Sequence, residues 1–140
     1  MAVNGSQKGF TLIELVVVIT ILGILAAFAV PRFASLDTQA RTAARDALAG
    51  SVRSGAALSH ALWLAQGQPA NVTMEGQTIT MVNGYPDLAT VNLTIGDLTG
   101  FTYTAGTGVF LKTGGAATCT ITYAAAPVNG APTITSGGVC

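Results

Sequence analysis

The sequence predicts an α+β fold: one long N-terminal helix, half membrane-spanning and half amphipathic, packed on a small antiparallel β-sheet head. Three observations predict it. The run Leu15–Val30 is apolar and holds no ionisable side chain. The alanine-rich stretch 32–66 repeats apolar residues every three or four positions, and beyond Pro69 the pattern changes to short alternating stretches cut by glycines. At about 1.5 Å per residue, Phe10 to Val30 covers roughly 30 Å, the thickness of a bilayer core.

Each segment has its own reason. Residues 1–9 are short and polar, unlike the apolar part of a secretory signal, whereas Ala26-Ala27-Phe28-Ala29 offers the small-residue site at which an ordinary signal is cut. That alternative leaves Glu14 without a reason. A carboxylate inside a membrane span costs about 2.5 to 3.5 kcal/mol at the helix centre, so Glu14 asks for a partner. Thr11 and Glu14 also fit the Thr-x-x-Glu spacing of a capping box, in which the acid closes back on the cap residue's backbone amide. Gly23 and Pro31 are the helix breakers of the apolar run, and Pro31 is expected to kink or loosen it near the membrane exit.

Phe33, Leu36, Ala40, Ala44, Ala47, Leu48, Val52, Ala56 and Leu62 mark the apolar face of the second half-helix. Asp37 and Arg41 form an acid-first pair, Arg41 and Arg45 repel, and such charges read as a solvated face. Gly50 and Gly55 each cost about 1 kcal/mol relative to alanine, so packing must hold this part. Gly67 and Pro69 end the helix. Trp63 reads as core packing and His60 as a half-exposed bystander.

In the head, 71–74 and 77–82 flank Glu75-Gly76 as a short hairpin, and Asn83-Gly84-Tyr85-Pro86 is a turn cluster. Asp87 caps a short helix through Leu93, or that segment is a strand; the residues leave both open. Strands at 101–104, 109–112 and 119–123 are expected to make one antiparallel sheet, with 133–135 a short final strand. Cys119 and Cys140 enclose residues 120–139, and in an exported chain such a pair reads as a disulfide stapling a flap to the sheet edge, the alternative being two separate thiols. Two cysteines and a lone His60 far away in sequence do not make a zinc set.

Composition narrows the function. The formal net charge is zero with six basic and six acidic residues, so bulk electrostatics gives no firm evidence for nucleic acid. One histidine, three acids after residue 70 and no nucleophile motif or phosphate-cradling loop speak against an enzyme. Asn71-Val72-Thr73 and Asn92-Leu93-Thr94 match a glycosylation sequon, a pattern that arises by chance in a threonine-rich chain.

Gly9-Phe10-Thr11-Leu12-Ile13-Glu14-Leu15, with a Lys8-containing leader before it and the apolar run after it, resembles the processing site and N-terminal helix of type IV pilins. The resemblance is close over residues 1–36. It implies a pilin fold with leader 1–9, filament-core helix 10–31, amphipathic helix 32–67 and β-rich head 68–140. It implies cleavage between Gly9 and Phe10 by a prepilin peptidase, N-methylation of Phe10, pairing of Glu14 with a neighbour's Phe10 amine, and local melting between Gly23 and Pro31 in the filament. The partners so implied are further copies in a helical filament, the pilus assembly machinery and the inner membrane before assembly, with no cofactor and no metal. The short head, the Asn83-Gly84-Tyr85-Pro86 turn and the cysteine pair look most like the mannose-sensitive haemagglutinin pilins of the type IVa group. A type II secretion pseudopilin shares the leader and helix, but its resemblance favours an acidic cluster near the C-terminus, and this chain has no acid after Asp97. A non-polymerising anchored binding module is the other alternative.

Overall fold

The computed structural model describes residues 9–140. A single helix, α1, runs Leu12–Ala65 with Pro31 inside it. The chain divides into two compact units, one ending at Asp37 and the other Thr38–Cys140.

In the first unit the helix is exposed along almost its whole length, with Phe28 75% and Phe33 69% accessible. Proline at position 31 lacks the amide for one intrahelical bond, yet the helix is unbroken there. Among the described residues, no tertiary packing in this unit covers the apolar side chains of 15–30.

The second unit begins with the last half of α1. Its buried residues are Leu48, Ala49, Val52, Gly55, Ala56 and Ser59, spaced three, four and seven apart as one helical stripe. Of the apolar face drawn from sequence, Leu48, Val52 and Ala56 are buried, while Phe33, Leu36, Ala40 and Ala47 are exposed. The stripe includes glycine and serine because the backbone comes close there. A Cβ on Gly55 would stand 2.5 Å from Thr94 Oγ1 and 2.8 Å from its carbonyl, so only glycine lets the 3₁₀ turn lie against α1. Ser59 Oγ donates to the Gly55 carbonyl, which satisfies a fully buried hydroxyl. The helix ends as a Schellman-type turn: Gly67 (φ 80°) and Gln68 (φ 65°) are left-handed, and Gln68 N donates to the Trp63 carbonyl at 2.9 Å.

The β region forms two sheets: the expected hairpin of 71–82 gains a third strand, and the three strands expected to pair lie together in a second sheet. The first has three strands, β1 (Asn71–Met74), β2 (Gln77–Val82) and β3 (Tyr85–Pro86), all antiparallel. Both of its hairpins have two-residue turns with φ > 0 at both positions, Glu75-Gly76 and Asn83-Gly84, which match the twist of the flanking strands. The Asn83-Gly84-Tyr85-Pro86 cluster is therefore a hairpin, half turn and half edge strand. Proline is tolerated at Pro86 because the strand is at the sheet's edge.

The segment left open between helix and strand is a turn leading into a 3₁₀ helix, Val91–Thr94. Asp87 Oδ1 accepts from the amides of Ala89 and Thr90 and from Thr90 Oγ1, and this cap favours the turned form. The second sheet has four strands in sequence order, β4 (Phe101–Thr104), β5 (Val109–Lys112), β6 (Thr120–Ala124) and β7 (Thr133–Gly137). Phe110, Ile121 and Tyr123 from this sheet meet Leu48, Ala49, Val52 and Ala56 of α1 in the main core, and Val91 joins them. A smaller core of Val72, Ile79 and Met81 lies under Leu62 and Trp63.

Cys119 and Cys140 form a disulfide, their Cα atoms 4.6 Å apart. The segment between them is not a flap. It is the β6–β7 hairpin, paired over five residues, with β6 inside the sheet.

Candidate functional site

At the N-terminal end of α1 the sequence folds into the capping box its spacing predicts. Thr11 N and Thr11 Oγ1 both donate to Glu14 Oε2, at 2.9 and 2.7 Å, and Glu14 N donates to Thr11 Oγ1 at 3.3 Å. Orphan donors of the first turn are thus satisfied by one threonine and one carboxylate. Phe10, Ile13, Glu14, Val17 and Val18 line an open hollow of about 370 Å³. Phe10 itself is 90% exposed. The chemistry is an acid at the edge of an apolar surface, with a solvent-facing aromatic residue four positions before it. Gly23 has open space around its Cα. Residues 1–8 of the expected leader lie outside the described residues; Gly9 is described and exposed.

A second arrangement sits in the head. The His60 ring stacks on Tyr85 (centroids 4.2 Å apart, planes 4° apart) and on Trp63 (5.6 Å, 24°). His60 Nδ1 lies 2.7 Å from the Gly84 carbonyl, which only accepts, so Nδ1 carries the proton. His60 is thus the middle ring of a three-ring stack and not a bystander. Trp63 is half-buried against the smaller core, with its other side on the cleft. Neither residue's partner was legible, because Tyr85 arrives through a hairpin that the sequence reading took for a turn. The cleft has a volume of about 450 Å³ and its far wall is Val128–Ala131. Among the described residues its lining carries no Asp, Glu, Lys or Arg.

Arg45 is the other residue that sequence reading misplaced. It was assigned to a solvated face, but its Nη1 donates to the carbonyls of Gly137 and Gly138, at 3.2 and 2.8 Å, and approaches Cys140 Sγ at 3.7 Å. Its Nη2 pairs with Asp46 at 3.0 Å. Arg53 Nη2 donates to the Ile134 carbonyl at 3.2 Å. Two arginines eight residues apart on α1 therefore tie down β7, Arg53 at the Ile134 carbonyl within it and Arg45 at its C-terminal end. The signal was present in the sequence only as arginines on the helix with too few acids to pair them.

Two tyrosines in the head are held protonated. Burial raises the Tyr103 phenol above its usual value, helped by the Asp87 charge, and its O–H donates to the Leu88 carbonyl. Burial raises Tyr123 further, with Tyr103, Asp87 and Tyr85 adding to it, and its O–H donates to the Pro86 carbonyl at 2.7 Å. The exposed Asp97 carboxyl is lowered by side-chain and backbone hydrogen bonds from Thr99. Among the described residues no three His, Cys, Asp or Glu side chains cluster as a metal site.

The prokaryotic N-terminal methylation motif matches residues 4–30, which include the capping box and the apolar run. Over this segment the chain is similar to the type IV pilins. The major component PilA5 of the narrow type IV pilus of Thermus thermophilus is 60% identical over 52 residues, which is 37% of this chain and 45% of that one. The type IV major fimbrial protein FimA of Dichelobacter nodosus is 35% identical over 101 residues, 67% of this chain and 62% of FimA. The type IV major pilin protein PilE1 of Neisseria gonorrhoeae is 37% identical over 92 residues, 58% of this chain and 42% of PilE1. The chain spans about half the length of these curated relatives. No solved structure matches it significantly.

Proposed function

We propose that the chain is a structural subunit of a type IV pilus, polymerising through its N-terminal helix for surface adhesion or motility. The observation that carries this reading is the combination in one helix of a charge-free apolar surface from Leu15 to Val30, exposed on the single chain, and one acid, Glu14, beside Phe10. Fully burying one Val, Leu or Ile side chain is worth about 1.5 to 3 kcal/mol, so a helix with this many exposed ones is stable only in lipid or against other helices. The inner membrane holds the precursor and the extracellular filament holds the mature subunit.

The proposed sequence of events follows from the residues. A prepilin peptidase removes leader 1–9 by hydrolysing the Gly9–Phe10 bond, and the new Phe10 amine is methylated. Residues 10–31 form the filament core, 32–67 the amphipathic helix and 68–140 the head. Glu14 pairs with the Phe10 amine of an adjacent subunit; a carboxylate has room for about four hydrogen bonds, so capping by Thr11 and pairing to an amine are compatible. In the apolar core such a pair serves mainly as a register device, because the attraction roughly offsets desolvation only if both charges are present. Gly23 and Pro31 bound the stretch that loosens in the filament, its carbonyls then satisfied by neighbouring subunits.

Intact mass of the protein from the cell surface tests the processing step. The expected mass is that of a chain beginning at N-methylated Phe10 with one disulfide. A chain beginning near Ala29 or Val30 would show an ordinary secretory signal and end the proposal.

A further inference from the structure

Two Asn-Gly pairs fall among the described residues, Asn83-Gly84 and Asn129-Gly130, and both reach the cleft beside His60. An Asn-Gly pair is prone to one self-reaction, because glycine has no Cβ to shield its amide nitrogen. The Gly nitrogen attacks the Asn side-chain carbonyl carbon and loses its proton, and the side-chain nitrogen leaves as ammonia. Water then opens the resulting cyclic imide, at one carbonyl or the other, to aspartate or isoaspartate. Only water is consumed, and the reaction quickens with pH because the backbone amide must lose its proton.

The fold treats the two pairs differently. Asn83 is locked. Its Nδ2 donates to the Ala126 carbonyl at 2.8 Å, the Gly84 carbonyl accepts from His60 Nδ1 at 2.7 Å, and Gly84 is buried so closely that an added Cβ would stand 2.8 Å from Trp63 Cζ3. Closing the imide there means opening a hairpin turn and dismantling the His60 stack. Asn129 is held far less. It is exposed, its φ of 58° is left-handed, and no hydrogen bond from its side chain is present among the described residues. One turn bond, from Gly130 N to the Pro127 carbonyl at 3.0 Å, restrains the attacking nitrogen.

We infer that Asn129 is a site of spontaneous deamidation and that Asn83 is protected by the fold. The product puts a carboxylate, or a carboxylate with a lengthened backbone, into the wall of a cleft lined by no other acidic side chain among the described residues. The cleft wall thereby gains one negative charge as the protein ages. This inference does not depend on the filament.

The test holds the purified, oxidised protein at mildly alkaline pH and follows, by peptide mass spectrometry, the replacement of side-chain NH₂ by OH at each position. A parallel sample is reduced and denatured. Conversion at position 129 several-fold faster than at 83 in the folded protein, with similar rates for both in the denatured sample, is the expected result. Equal rates in the folded protein, faster conversion at 83, or no conversion at 129 while the denatured chain converts would overturn the inference. Asn129→Gln provides the control: its larger ring closes much more slowly, so an isoaspartate signal persisting in that region of the variant would also overturn it.

Discussion

At the scale of single residues, the structure separates those whose chemistry is local from those whose partner is far away in sequence. Thr11 and Glu14 were legible because a capping box is a spacing rule, and Cys119 and Cys140 because an exported pair tends to join. His60, Arg45 and Arg53 were not, since their partners lie between 24 and 95 residues away and reach them only through the fold. Arg45→Ala removes a charged donor from two carbonyls and should destabilise the head by about 1.5 to 3 kcal/mol, read from chemical denaturation. Arg45→Lys should recover only part of this, because one ammonium cannot hold the loop carbonyls and Asp46 in the same geometry. A loss for Arg45→Ala no larger than about 0.5 kcal/mol, the ordinary range for surface sites, would return Arg45 to the solvated face. Glu14→Ala should leave the subunit inserted and folded but abolish filaments, because each Phe10 amine is then buried without its acid; Glu14→Gln should be intermediate. Loss of a cap alone costs about 0.5 to 2 kcal/mol, so normal filament numbers from Glu14→Ala cells would leave capping as its whole role.

At the scale of elements, the glycines of α1 make opposite predictions. A Cβ at Gly50 meets nothing within 4 Å, so Gly50→Ala should stabilise the head by about 0.5 to 1 kcal/mol through helix propensity alone. Gly55→Ala gains the same propensity but drives a methyl into Thr94, and overpacking of this kind costs about 1 to 3 kcal/mol. Thermal melting of the two variants should shift in opposite directions, and a shift in the same direction would mean that the 3₁₀ turn yields. The β6–β7 hairpin depends on its disulfide: Cys119→Ser should cost about 2 to 5 kcal/mol, and free thiols in the unreduced native protein would refute the bridge. The second sheet also sets an alkaline limit. Tyr103 and Tyr123 have folded pKa values above the unfolded value of about 10, so their contribution is complete below that pH and is lost as pH rises through the folded values. Phenolate absorbance should therefore lag the unfolded titration and rise together with unfolding. The Glu75-Gly76 hairpin was legible from its dipeptide; the Asn83-Gly84 hairpin was not, because its second strand is only Tyr85–Pro86 and a proline there reads as part of a turn.

At the scale of the whole molecule, the N-terminal segment was the most legible part, since a charge-free run with one acid follows from composition alone. The head was legible in class and in six of its seven strands, β3 being read as part of a turn, but not in core, because its helix stripe uses Ala49, Gly55 and Ser59, which hydrophobic periodicity passes over. The same helix therefore presents two kinds of surface: large apolar side chains, exposed in the first unit, and small residues that let strands and the 3₁₀ turn come close in the second. This division suits the filament subunit proposed above, with assembly assigned to one stretch and the head to the other. Electron cryo-microscopy of filaments sheared from producing cells tests that claim directly. The account predicts a helical array of this chain, its helices packed in the core and each Phe10 amine within hydrogen-bond distance of a neighbouring subunit's Glu14; filaments lacking the chain, or a core in which Glu14 meets only its own Thr11, would contradict it.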